Sequence, residues 1–119
     1  MINTYVYSSC TSCKKTESVL SESGIGFTSR DFFRNRFTRD ELSSILIEAG
    51  LSVSDVLSKR SKVYQSRPAE IDGLSDGALL DLIVEEPTLL RRPLVIGDGG
   101  VVIGHIPKQL ESLIAVNRN

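Results

Sequence analysis

The chain has 119 residues, 40% of them hydrophobic and 24% charged, which is about one domain of ordinary globular composition and enough apolar material for a core without metal or disulfide support. A formal net charge of −1 lacks the basic bias of direct nucleic-acid binders, and no apolar run reaches the roughly 18 residues of a membrane helix. Polar Ser8 and Ser9 follow the opening residues with no signal-peptide pattern, so the expected compartment is the cytoplasm.

Residues 3–7 are rich in β-formers and run into Ser8-Ser9-Cys10, predicting a first strand and a turn. From Thr11 or Ser12 to Ser23 neither proline nor glycine interrupts. Thr16, Val19 and Leu20 can share an inner face there, and Gly24 is placed to end the helix. A strand over residues 27–32 completes a βαβ start that favours parallel pairing with the first strand.

Thr38 with Glu41 three residues later is a capping-box signature, after which Leu42, Ile45, Leu46 and Ala49 recur at helical spacing up to Gly50. A short helix is predicted from near Ser52, with Val53, Val56 and Leu57 on one face. Another starts near Ser75, where Asp76 suits the positive helix end; Leu79, Leu80, Leu82 and Ile83 form its apolar face until Pro87. These elements read as a helical insert over about residues 38–90 within a single domain.

Strands return after Arg92. Residues 94–96 and 101–103 flank the turn chemistry of Gly97-Asp98-Gly99-Gly100, and a last helix is predicted from Pro107 with Leu110, Leu113 and Ile114 inward. The sum is an α/β chain of the order βαβ, helical block, ββα. Gly97 to Gly100 precede no helix, so they are hairpin punctuation and not a phosphate cradle.

Chemistry concentrates on Cys10 and Cys13. Cys10 closes a strand-to-helix turn, where free N–H groups and the helix dipole favour a thiolate, and Lys14 and Lys15 add positive charge. Cys13, one helical turn on, can reach the first sulfur and close a disulfide, which makes it the natural resolving thiol. The alternative is two small buried hydrophobes. A zinc site needs four ligands as a rule, and the chain offers this pair and the single histidine His105, so neither metal nor cofactor is expected.

Two basic clusters follow. Lys59, Arg60 and Lys62 lie after the short insert helix, and Arg91 and Arg92 precede the strand-initiating Pro93; an arginine fork at either could hold an oxyanion. His105 reads as a polar surface residue outside the catalytic set, and Tyr64 and Gln65 carry no derivable role.

The segments Tyr5-Val6-Tyr7-Ser8-Ser9-Cys10-Thr11-Ser12-Cys13-Lys14-Lys15, Ser58-Lys59-Arg60-Ser61-Lys62-Val63-Tyr64-Gln65 and Pro87-Thr88-Leu89-Leu90-Arg91-Arg92-Pro93-Leu94 resemble the arsenate reductase/Spx family, in order and over nearly the whole chain. The resemblance implies a thioredoxin-like fold with a mixed sheet and a helical insert. On the reductase branch it implies Cys10 as nucleophile, Arg60 and Arg92 as anion-binding arginines, and glutathione, glutaredoxin or thioredoxin as reductant. The third arginine of that pattern falls on His105. On the Spx branch, nearer at Cys10-Thr11-Ser12-Cys13 and Arg60-Ser61-Lys62, it implies a redox-sensing regulator that binds the RNA polymerase α subunit; the glycine used at that contact aligns with Ser52.

Overall fold

A computed structural model describes residues 1–118. The chain divides into two compact units, one built from residues 1–35 with the segment from Arg92 onward, the other from Arg36–Arg91.

The first unit is a four-stranded sheet with two helices. Strands β1 (Ile2–Val6), β2 (Phe27–Asp31), β3 (Leu94–Gly97) and β4 (Gly100–Ile103) lie in the order β2-β1-β3-β4. β1 pairs parallel with β2 because α1 (Thr11–Ser23) carries the chain back across the sheet, whereas β3 runs antiparallel to both β1 and β4. The sheet is therefore mixed, as the sequence predicts. Its inner face is set by alternation along β1, where Ile2, Thr4 and Val6 are buried and Asn3 and Tyr5 are half-buried. On that face Ile2, Val95 and Val102 form one cluster with Leu20 of α1 and with Leu110, Leu113 and Ile114 of α6 (Pro107–Asn117).

Local chemistry explains the element ends. Gly24 ends α1 at a φ of 75°, a left-handed backbone that disfavours side chains with a Cβ. Asn117 of α6 holds the β3–β4 turn, accepting from the Asp98 N–H at 3.2 Å and donating to the Asp98 carbonyl at 3.1 Å. β1 ends one residue before the predicted limit. Tyr7 instead accepts the Cys10 N–H at 3.0 Å, so its carbonyl belongs to the turn that delivers the cysteines.

The second unit is helical: α2 (Arg39–Ala49), α3 (Lys62–Ser66), α4 (Pro68–Asp72) and α5 (Asp76–Glu85), with short 3₁₀ turns at Val53–Val56 and Pro87–Leu89. The capping box predicted at α2 is present in both directions, Thr38 Oγ1 accepting from Glu41 N–H at 3.1 Å and Glu41 Oε1 accepting from Thr38 N–H at 3.0 Å. The helix predicted from Ser52 is a single 3₁₀ turn, because Leu57 leaves it to bridge antiparallel to Leu90. Helices α3 and α4 have five residues each, too few for an apolar period to show in sequence. They form because Ser61 caps the first and Pro68 starts the second.

Candidate redox site

The cysteine turn is built by hydrogen bonds that start at Asp31. Its carboxylate leaves the end of β2 and accepts from the N–H groups of Ser8 at 3.3 Å, Phe33 at 2.9 Å and Arg34 at 3.3 Å. Partial burial pushes the Asp31 carboxyl up, but these N–H donors outweigh it and hold the group below its ordinary range. The backbone adds Phe32 N–H to the Val6 carbonyl at 3.1 Å, so both sides of the turn are tied to the sheet. A depressed carboxyl stabilises the fold above its unfolded value of about 3.9, and that contribution is lost as pH falls through the folded value. Replacing Asp31 with asparagine is therefore expected to cost about 1–2 kcal/mol at neutral pH. Urea unfolding at pH 7 and pH 3 checks this: the gap between variant and parent should narrow at the lower pH.

Cys10 is the residue that caps α1. Its backbone is extended, with φ −89° and ψ 118°, and its Sγ accepts the Cys13 N–H at 3.2 Å in the place usually taken by a serine or aspartate oxygen. A negative charge on that sulfur would meet an N–H and the positive helix end together. The expected placement of Cys10 at the helix start is thus present. Cys10 is half-exposed, Cys13 is fully buried, and the two are unlinked thiols. Burial pushes the Cys13 thiol up to about 12; a side-chain hydrogen bond with Cys10 adds to the rise, and a Tyr7 backbone hydrogen bond and the Arg92 charge oppose it. One sulfur therefore meets solvent and the other waits beneath it.

Arg92 reaches this unit from the loop before β3. Its guanidinium lies 5.6 Å from the Tyr7 ring centroid and 5.7 Å from that of Phe33, and the two rings stack at 3.9 Å. Aromatic faces attract a guanidinium and restrict its torsions, so the pair positions Arg92 within electrostatic reach of Cys13. The Arg92-Pro93 peptide is cis. Arg60 lies in the helical unit and is exposed, as are Lys59, Lys62, Lys14 and Lys15. Tyr64 is buried there, its hydroxyl donating to the Asp72 carboxylate at 2.9 Å, while Gln65 is exposed.

His105 departs from its sequence reading. The ring is half-buried, and its Nδ1 shares a 2.8 Å hydrogen bond with Oγ1 of Thr16, a residue 1% exposed and one helical turn beyond Cys13. Asp31, the Tyr7–Phe33 stack and this pair were all missed from sequence. Their partners are 23 to 89 residues distant for the Ser8–Asp31 and Thr16–His105 bonds, and no spacing rule links such positions. Among the described residues no group of three or more metal-ligating side chains converges, and no helix is long and apolar enough to cross a membrane.

Residues 5–113 match the family model described as the ArsC family. The regulatory protein MgsR of Bacillus subtilis is 37% identical over 109 residues, covering 92% of this chain and 86% of the relative. The global transcriptional regulator Spx of Streptococcus pyogenes is 32% identical over 115 residues, covering 97% and 86%. Among solved structures, an arsenate reductase from Vibrio cholerae superposes with a TM-score of 0.81 at 24% identity, covering 94% of this chain and 96% of that one. A Staphylococcus aureus protein solved by NMR gives the same TM-score at 25% identity, covering 95% and 98%. These structures share the α/β thioredoxin-like fold with its mixed sheet. By the match along nearly its whole length, this chain belongs to the ArsC family.

Proposed function

We propose that the chain is a dithiol–disulfide redox protein in which Cys10 attacks the oxidised substrate and Cys13 resolves the intermediate. The observation that carries this reading is the cap of α1, where the half-exposed Cys10 sulfur accepts the N–H of a buried cysteine one turn away. Arg92, steadied by Tyr7 and Phe33, is the residue proposed to hold an anionic substrate or steady a thiolate. By family likeness Arg60 is proposed for the same work. Glutathione, glutaredoxin or thioredoxin would be the reductant, and the cytoplasm the compartment. The helical insert would belong to one domain with the sheet.

The test is a titration in glutathione buffers of stepped potential, with free thiols counted by alkylation and mass. The expected result is one two-electron transition between the dithiol and a Cys10–Cys13 disulfide. Thiols that never join under mild oxidant would overturn the reading.

A second reading is favoured by the names of the curated relatives, which are regulators. In it the same disulfide alters a surface that binds the RNA polymerase α subunit. Capture of the recombinant α C-terminal domain by oxidised and reduced chain separates the two readings. Redox-dependent capture supports the regulator, and equal or absent capture leaves the oxidoreductase.

A further inference from the structure

A resolving thiol that is fully buried has a problem the cysteine pair does not solve alone: its proton must leave before it can attack. The inner face of α1 supplies a route. Cys13 and Thr16 are three residues apart on that face, both buried, and side chains at this spacing are neighbours on a helix, about 5–6 Å apart at Cβ. Beyond Thr16 lies His105, its Nδ1 2.8 Å from Oγ1 and its side chain half-buried, so the residue is partly open to solvent. The loop that presents His105 is pinned to the site: Gly104, at a φ of 90°, donates its N–H to the Pro93 carbonyl at 2.8 Å, next to Arg92.

A second observation points to the same place. Thr4 is fully buried, and its Oγ1 has no hydrogen-bond partner among the described residues. Thr4 opposes Val95 across the sheet, and Val95 clusters with Ile2 and Leu20, so this hydroxyl is on the face that α1 covers. Ile2 and Leu20 share that cluster, so the start of β1 meets the end of α1 and the two run in opposite directions. Two strand residues from Ile2 to Thr4 advance about 6–7 Å, which is roughly four helical residues back from Leu20, the level of Thr16. An orphaned buried hydroxyl costs about 1–3 kcal/mol. By that spacing it falls at about the level of Thr16 along α1.

We propose that Thr16 and His105 form a proton relay for the resolving cysteine, with the Thr4 hydroxyl as a further polar group along it. The inference rests on the redox reading above. In the step, a substrate thiol is joined to Cys10 by a disulfide. The Cys13 S–H proton passes to Thr16 Oγ1 as the Thr16 hydroxyl proton passes to neutral His105 Nδ1. The Cys13 sulfur then attacks Cys10 Sγ, the Cys10–substrate S–S bond breaks, and the substrate departs as a thiolate with the electron pair. Cys10 and Cys13 end oxidised, the substrate sulfur is reduced, and His105 returns its proton to solvent. The charged or titratable groups acting on Cys13 in this step are Cys10 and Arg92, and the group facing His105 is Thr16.

Ellman's reagent tests this on the full chain, because each sulfur releases one thionitrobenzoate. The first release reports attack by Cys10 and the second reports resolution by Cys13. His105→Gln, which keeps polar groups but accepts no proton, and Thr16→Val are expected to slow the second phase about 100-fold while leaving the first within about twofold. Thr16→Ser should restore it. In the parent chain the second phase should also carry a pH dependence that His105→Gln lacks. A structural tie between α1 and the His105 loop would change stability and leave that pH profile intact. An unchanged second phase and profile in both variants would overturn the relay alone. A parent chain that never gives the second release would overturn the redox reading together with it.

Discussion

Replacing Cys13 with serine is expected to leave a mixed disulfide on Cys10 that accumulates and persists, visible as a mass adduct of the oxidant thiol. Replacing Cys10 is expected to all but silence the chain toward the same reagent. The asymmetry follows from placement. Cys10 is half-exposed, and its sulfur already accepts an N–H at the head of α1, so an approaching disulfide meets it first. Cys13 is fully buried, with its thiol pushed up to about 12, so at pH 7 it is held in the neutral, unreactive form. In the Cys10→Ser chain that thiol would have to react alone, and modification should be slower by at least about 100-fold. Equal reactivity of the two variants would remove the order of events. The same group links stability to pH. The neutral Cys13 thiol is favoured by folding, so its contribution is whole below about 9, the ordinary value, and is lost as pH rises toward 12.

The largest stability effect is expected at Leu20. Its side chain is fully buried on the inner face of α1, where it joins Ile2, Val95 and Val102 of the sheet with Leu110, Leu113 and Ile114 of α6. Truncation to alanine removes apolar contact and opens a cavity, a loss of about 2–5 kcal/mol. Against a total of roughly 5–15 kcal/mol for a domain, this takes away a large part of the margin. Urea unfolding should show a lower midpoint at unchanged slope, while the exposed neighbour Ser21→Ala stays within about 0.5 kcal/mol of the parent. A Leu20→Ala midpoint equal to the parent's would mean that α1 is not held by this cluster. The effect also matters for chemistry, because α1 carries both cysteines and its inner face must stay seated for Cys13 to remain beneath Cys10.

Much of this molecule is written in neighbouring residues. The order of strands and helices follows from period-2 and period-3.6 patterning, and the α2 box from Thr38 and Glu41, because those signals act across a few bonds. Cys10 at the head of α1 is legible for the same reason: a strand, a turn and an uninterrupted helix place it there. Short elements such as α3 and α4 were not legible, since five residues hold barely more than one helical turn. What tertiary structure alone decided is which distant side chains meet. The Tyr7–Phe33 platform beneath Arg92, the Asp31 clamp on the Ser8 N–H and the Thr16–His105 bond all join segments that the sheet and its crossing helices bring together. Proximity of that kind comes from burying a common apolar face, and that burial depends on the whole pattern of the chain and on no local motif.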